Sequence, residues 1–321
     1  MSSADSVTKD LKVVNSYIKA VTMNSIPEIP VISQHLIGSG GKRIRPYLVI
    51  MSSRMFNVPK KDYVKVAAAV ELYHSASLLH DDVVDNAKQR RGIPSANHVW
   101  GNKNSVLVGD FLLARTSSII ANMRNHDLLE LFVDVLGHMA EGELIQMQLS
   151  HKPDLTEDDY FSIVKKKTAH LISASCESGA IVGNAGQQFR KVLRRYGLLI
   201  GMAFQLIDDN IDYTSMSKVS GKDKWADIKE GKVTLPMTVA LLRATNKEKA
   251  FLKRVIIEKK GKFEDYPKVH EIIKKYKGFD YTKNKAEDFA DKALQYLNTL
   301  PPSLELDEMR KFTHSVVDRK Y

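Results

Sequence analysis

Two short stretches carry the densest chemistry in the chain. "LLHDDVVDNAKQRRG" (78–92) sets Asp81, Asp82 and Asp85 on one helical run and follows them with Arg90 and Arg91. "FQLIDDNIDYT" (204–214) repeats the spacing with Asp208, Asp209 and Asp212. On a helix, positions i and i+4 face the same way with Cβ atoms about 5–6 Å apart, so each stretch presents a claw of carboxylates. Crowding like charges is unfavourable without a cation. The oxygen-only donor set points to Mg²⁺, which takes one or two carboxylates and fills its shell with water and phosphate oxygens. Neither stretch has the loop glycine and closing glutamate of a calcium-binding EF-hand. Either one alone also fits a solvated helix end; two apolar-flanked copies point to a shared task.

Basic residues stand close to both claws. "GGKRIRP" (40–46) places Lys42 and Arg45 at a helix entrance, where backbone amides also favour an anion. Lys167 and Thr168 occupy another helix, and Lys222 and Lys232 lie in the loop after the second claw. Each fits an ordinary surface position when taken singly. Together they describe two anionic sockets around a metal cluster.

The elements that must position these groups are helices. Apolar residues recur at three and four positions in almost every segment, as in "YVKVAAAVELYHSASLL" (63–79), and strand-type alternation is nearly absent. The pattern predicts helices over 5–20, 44–56, 60–86, 104–123, 127–149, 157–183, 187–214, 233–245, 248–259, 282–298 and 303–318. Several are apolar on more than one side and joined by short connections, which suits the interior of a bundle. No proline- or glycine-rich linker and no repeat divides the chain, so 1–321 reads as a single all-α domain. The longest irregular stretch is 214–232.

Composition narrows the classes. The 321 residues are 43% hydrophobic, enough for a substantial core. One cysteine, Cys176, excludes an internal disulfide framework and fits a reducing, cytoplasmic setting. The N-terminal residues show no signal or transit pattern, and the longest uncharged apolar run, 197–207, is short of the roughly 20 residues that span a bilayer. The net charge of +10 concentrates in 246–279, where lysines alternate with acidic and apolar residues as on a solvated helical face. No base-stacking platform or zinc signature points to a nucleic acid.

With these residues in view, the sequence resembles the trans-isoprenyl diphosphate synthases, most of all their long-chain polyprenyl branch. The resemblance runs from about residue 30 to 240 through "GGKRIRP", "ELYHSASLLHDDVVDNAKQRRG", "GDFLLAR", "GELIQ", "KKKTA", "FQLIDDNID" and "DIKEGKVTLP". It implies one large helical bundle around a deep central cavity, and an enzyme that joins isopentenyl diphosphate head to tail to an allylic diphosphate, repeatedly. Carried over by position, Asp81, Asp85 and Asp208 become direct Mg²⁺ ligands, with Asp82, Asp209 and Asp212 completing the claws or holding metal-bound water. The family number of metal ions is three. Arg90, Lys167, Thr168, Gln205, Lys222 and Lys232 are expected on the allylic diphosphate. Lys42, Arg45, His74 and Arg91 are expected on the isopentenyl diphosphate, although a lone histidine on an apolar helix also fits a core position. The family further implies a homodimer and at most peripheral membrane contact for product release.

Ala76 and Ser77 precede Asp81 by one helical turn on roughly the same side. Short-chain members carry bulky aromatics there as a floor, so small residues predict a product longer than farnesyl, octaprenyl being the central expectation, for quinone side chains. Small residues that merely admit a close helix fit the same pattern. Phe132 is a candidate for a deeper floor. One departure stands out: where the family usually has a small, Gly- or Pro-containing stretch after the loop Gly-Lys, this chain reads "GKDKWADI" (221–228), which weakens the assignment of Lys222. Rival readings are a shorter-chain synthase, a terpene cyclase, which has no need of "GGKRIRP", and a silent subunit of a heteromeric synthase, against which both intact claws argue.

Overall fold

The computed structural model describes residues 3–214, 225–257 and 263–319, without the side chains of 3–5, 226 and 263. Among them, all regular structure is helical apart from one two-residue hairpin. The chain forms two compact units. One comprises Met1–Val135, Leu171–Gly197 and Tyr296–Arg310; the other comprises Leu136–His170, Leu198–Gln295 and Lys311–Tyr321.

The first unit is built on α4 (Lys60–Val84), which packs along α5 (Ala96–Asn122) and against α1 (Ser3–Thr22) and α3 (Ile44–Met55). Every residue from Val66 to Tyr73 is buried, so this helix has no solvent face along its middle. The run Ala67-Ala68-Ala69 lets α5 come close enough for the Thr116 hydroxyl to donate to the Ala69 carbonyl at 3.3 Å. Leu72 and Leu79 are fully buried, each contributing about 2 kcal/mol by removal from water. A polar clip adds to this packing: buried Asp10 on α1 receives Tyr63 at 2.5 Å and Lys60 at 2.7 Å, and also pairs with Arg54 of α3. The clip fixes the N-terminal end of α4 and the buried middle fixes its length, and the first acidic motif sits at the other end of that helix.

Two elements of the first unit were not anticipated from the sequence. In α2 (Glu28–Gly38), Pro27 caps the helix and Pro30 sits in its first turn, where a missing amide donor costs nothing. The hairpin β1 (Gln89–Arg90) and β2 (Ile93–Pro94) is too short to show alternation. Its turn residues Arg91 and Gly92 have φ of 53° and 77°, the positive pair that tight hairpins require. The helix predicted from 104 begins earlier, at Ala96, and kinks at Gly101.

The second unit contains α6 (His126–Leu149) from Leu136 onward, α7 (Glu157–Val164), and the C-terminal half of α9 (Gln187–Thr214). Between α7 and α8 (His170–Val182) the chain makes a π-helical turn, Lys165–Ala169. Thr156 and Asp159 form a reciprocal capping box that starts α7. After α9 come α10 (Ala226–Lys229), α11 (Leu235–Arg243), α12 (Asn246–Ile257), α13 (Tyr266–Lys275), α14 (Gly278–Leu297) and α15 (Leu304–Val317). The sequence pattern missed α13, whose Pro267 is in the first turn and whose lysines read as a solvated face.

Candidate active site

In the first acidic motif, Asp81 and Asp85 lie one turn apart at the end of α4, joined by the Asp85 N–H donating to the Asp81 carbonyl at 2.8 Å. Both are half-buried, whereas Asp82 is 1% exposed. Asp82 points to the hairpin: Arg90 brings Nε to 2.7 Å and Nη2 to 2.6 Å of the same oxygen, Oδ1. Its other oxygen, Oδ2, is buried and accepts no hydrogen bond among the described residues. Burial works against the Arg90 charge, but the carboxylates of Asp82, Asp81 and Asp85 outweigh it and strengthen the guanidinium's hold on its proton.

The hairpin turn sends the two consecutive arginines different ways. Arg91 donates to the Gly40 carbonyl, and its guanidinium lies so close to Gly41, itself at φ 133°, that a Cβ there would stand 3.1 Å from Nη1. Gly41 is therefore the residue that admits an arginine against the "GGKRIRP" backbone. Arg43, at φ 48°, pairs with buried Glu71 and donates to the Ile37 carbonyl at 2.5 Å. His74 is half-buried one turn along from Glu71; desolvation first, then the charges of Arg45, Arg91, Arg90 and Arg43, push its pKa well below the ordinary value. The imidazole is thus neutral among four guanidinium groups. This concentration of positive charge suits an anion.

The second motif is arranged the same way with different anchors. Asp208 and Asp212 share a face of α9, and Asp212 Oδ2 accepts the Asp227 N–H at 3.2 Å. Asp209 is buried and spends both oxygens: Gln205 Nε2 donates to Oδ1 at 2.7 Å and the Tyr160 hydroxyl to Oδ2 at 2.5 Å. Burial first, then the nearby charge of Asp227, pushes the Asp209 pKa up to about 8. The Gln205 carboxamide also accepts from the Thr168 hydroxyl at 2.9 Å, which links the π turn to the acidic helix.

That turn carries Lys167 and Thr168, and π turns recur at functional sites. Gly142 of α6 passes beneath it so closely that a Cβ would be 2.6 Å from the Lys167 amide nitrogen. Lys167 pairs with Glu143, Lys166 with Glu141, and Lys232 with Glu230, the last at 2.6 Å.

Of the residues expected at the site, Asp81, Asp82, Asp85, Arg90, Arg91, Arg45 and His74 gather in the first unit, with Lys42 exposed beside them. Asp208, Asp209, Asp212, Gln205, Thr168 and Lys167 gather in the second. Lys222 lies outside the described residues, as does Asp223. Ala76 and Phe132 are buried, and Ser77 donates to the His74 carbonyl at 2.9 Å. Sequence reasoning missed Glu71, Tyr160 and Asp227, because an anchor contributed from another helix leaves no mark in local spacing. Asp209 and Gln205, expected in the metal claw and on the allylic diphosphate, are hydrogen-bonded to each other.

The sequence profile of the polyprenyl synthetase family matches residues 27–274. The chain belongs to that family. It is 36% identical to the octaprenyl diphosphate synthase of Haemophilus influenzae, over 97% of this chain and 94% of that one. It is 35% identical to the all-trans-nonaprenyl-diphosphate synthase of Rhodobacter capsulatus, over 98% and 96%. A polyprenyl synthase from Caulobacter crescentus, solved with calcium and isoprenyl diphosphate, superposes with a TM-score of 0.94 at 36% identity, covering 98% of this chain and 96% of that one. The protein is accordingly a long-chain prenyltransferase of isoprenoid-synthase fold, a class that works on prenyl diphosphates with a divalent metal. Among the described residues no helix is long and apolar enough to cross a membrane.

Proposed function

We propose that this polyprenyl synthetase condenses isopentenyl diphosphate with an allylic diphosphate in the presence of Mg²⁺, and that its main product is octaprenyl diphosphate for a quinone side chain. The observation that carries the reading is the shared design of the two acidic motifs. In each, an i, i+4 carboxylate pair is backed by a middle aspartate anchored into the protein. An all-oxygen donor set and the buried, unsatisfied Oδ2 of Asp82 suit a hard divalent cation. Bound Mg²⁺ supplies charge stabilisation for the departing diphosphate, three ions being the family number.

The protein's own groups do the rest. Asp81, Asp85, Asp208 and Asp212 hold the metal-bearing allylic diphosphate. Arg90, while it keeps Asp82, and Lys167 and Lys232, which exchange Glu143 and Glu230 for phosphate oxygens, add positive charge where the leaving group becomes more negative. Thr168 and Gln205 fix the turn that carries Lys167. Arg45, Arg91 and Lys42 take the second diphosphate, and neutral His74 adds a hydrogen bond without further repulsion among the arginines. The isopentenyl double bond attacks the allylic carbon, and the released diphosphate takes the proton. No protein nucleophile is needed. Water must be kept from the allylic cation, which the apolar residues around Ala76 favour.

Ala76 and Ser77 leave room for a growing tail. The family match runs through both compact units, which supports one catalytic domain over 1–321. A homodimer is favoured by α6, whose Leu129, Val133, Leu136, Leu144 and Met147 form an exposed apolar stripe at heptad-like spacing. The proposed setting is the cytoplasm, with peripheral membrane contact at product release.

Incubation with farnesyl diphosphate, labelled isopentenyl diphosphate and Mg²⁺, followed by chain-length analysis, tests the proposal. Products of about eight isoprene units are expected. A product stopping at geranylgeranyl places the chain with shorter-chain synthases, and no turnover by the pure protein makes it a silent subunit.

A further inference from the structure

Among the described residues of the loop departure, Trp225 is one that the reaction leaves unexplained. Its φ is 69°, in the left-handed region that bulky side chains rarely enter, and yet its side chain is only 4% exposed. The indole meets Tyr213 edge-on at 6.1 Å, lies tilted against Tyr266 at 5.8 Å and meets His270 edge-on at 6.0 Å. Strain at one backbone position persists only where the surroundings determine it. Here a buried aromatic cluster does so.

The backbone just beyond Trp225 is directed at the second acidic motif. The Lys229 N–H donates back to the Trp225 carbonyl at 3.0 Å and closes α10. Inside that turn, the Asp227 N–H donates to Asp212 Oδ2 at 3.2 Å, and the Asp227 carbonyl accepts the Lys232 N–H at 2.8 Å. Tyr213, the ring beneath the indole, is the neighbour of Asp212, and its hydroxyl is tied to Thr234 at 2.9 Å. The indole therefore fixes the backbone donor on one claw carboxylate and the backbone that presents Lys232.

We propose that Trp225 is a positioning residue that holds the turn at 225–232 in register with Asp212 and so sets the affinity of the second acidic motif for a metal-diphosphate complex. The inference rests on reading that motif as a metal-diphosphate site. It assigns to this chain a side-chain anchor where the family usually relies on small loop residues.

Calorimetric titration of the full-length protein with inorganic diphosphate in Mg²⁺ tests it, using wild type, W225G, W225F and D208N. Glycine accepts the positive φ and removes the indole, so it separates strain from anchoring. W225G is expected to bind about tenfold more weakly, the scale on which lost supporting contacts lower metal affinity. W225F is expected to recover most of the loss, and the KM for isopentenyl diphosphate is expected to stay within about twofold of wild type, a split that general damage to the fold would not give. In a W100F background, where Trp225 is the remaining tryptophan, its emission is expected to change on adding Mg²⁺ and diphosphate, and not in W100F/D208N. A folded W225G that binds within about twofold of wild type overturns the proposal, as does an unchanged emission should W225G not fold. If wild type and D208N bind alike, the metal reading of the motif falls first and the proposal with it.

Discussion

The two acidic motifs share a spacing but differ in how the middle carboxylate is held. Asp82 is neutralised by a cation, Arg90, reaching from a hairpin eight residues later in sequence. Asp209 is held by neutral donors, the Tyr160 hydroxyl and the Gln205 carboxamide, and burial first, then the charge of Asp227, raises its proton affinity in spite of them. The first motif is thus charge-compensated by the protein at its middle position. The second has no such counter-charge beside its middle carboxyl, and a cation would lower the cost of ionising it. Identical sequence signatures therefore describe one site with its own counter-charge and one that depends on an added one.

The largest effects are expected at the outer carboxylates. D81N and D208N should each lower kcat by about 10³-fold, the size of losing a major electrostatic element of the transition state, measured with saturating Mg²⁺. Equal activity in D208N would remove the second motif from the reaction.

Next in size is the contrast between the anchors. R90Q leaves Asp82 buried without its counter-charge and should destabilise the fold by about 3 kcal/mol. Y160F removes one hydrogen bond to Asp209 and should cost about 1–2 kcal/mol. Denaturant unfolding distinguishes them, and equal losses would mean that the anchors are equivalent.

Ala76 and Ser77 precede the first motif where Ala203 and Phe204 precede the second. A76F adds to the first, one position earlier, an aromatic bulk like that which Phe204 gives the second. It should shorten the product by several isoprene units, read by reversed-phase chromatography, with about 1–3 kcal/mol lost to overpacking. An unchanged product length would remove Ala76 from the wall.

The smallest effect is on pH dependence. His74 has a folded pKa depressed below 6.5, so between that folded value and 6.5 the unfolded chain binds more protons than the folded one. Stability is fully present above pH 6.5 and is lost as pH falls through that window. H74N should flatten this part of the stability profile, and an identical acid slope would show that the imidazole titrates freely.

Much of this was legible in the sequence, for identifiable reasons. Helical periodicity marks α4 and α9 because their buried faces repeat along the chain, and the carboxylate spacing follows from the same period. The residues that anchor the motifs were not legible. Tyr160 meets Asp209 across 49 positions of sequence, and Glu71 meets Arg43 across 28. Nothing local to either partner encodes such a meeting. The prolines of α2 and α13 hid those helices because first-turn prolines look like breakers. Trp225 showed itself in the sequence only as a departure; its positive φ and buried ring gave the departure a physical meaning.

The central proposal is that the outer aspartates of both motifs serve the same catalytic step. Its most direct test is a double-mutant cycle on kcat/KM with farnesyl diphosphate, using D81N, D208N and D81N/D208N. Groups that act as a unit are strongly non-additive, so the double variant should lose little more than about 10³-fold, as either single does. A loss near the product of the two, about 10⁶-fold, would mean that the motifs work independently and would contradict the account.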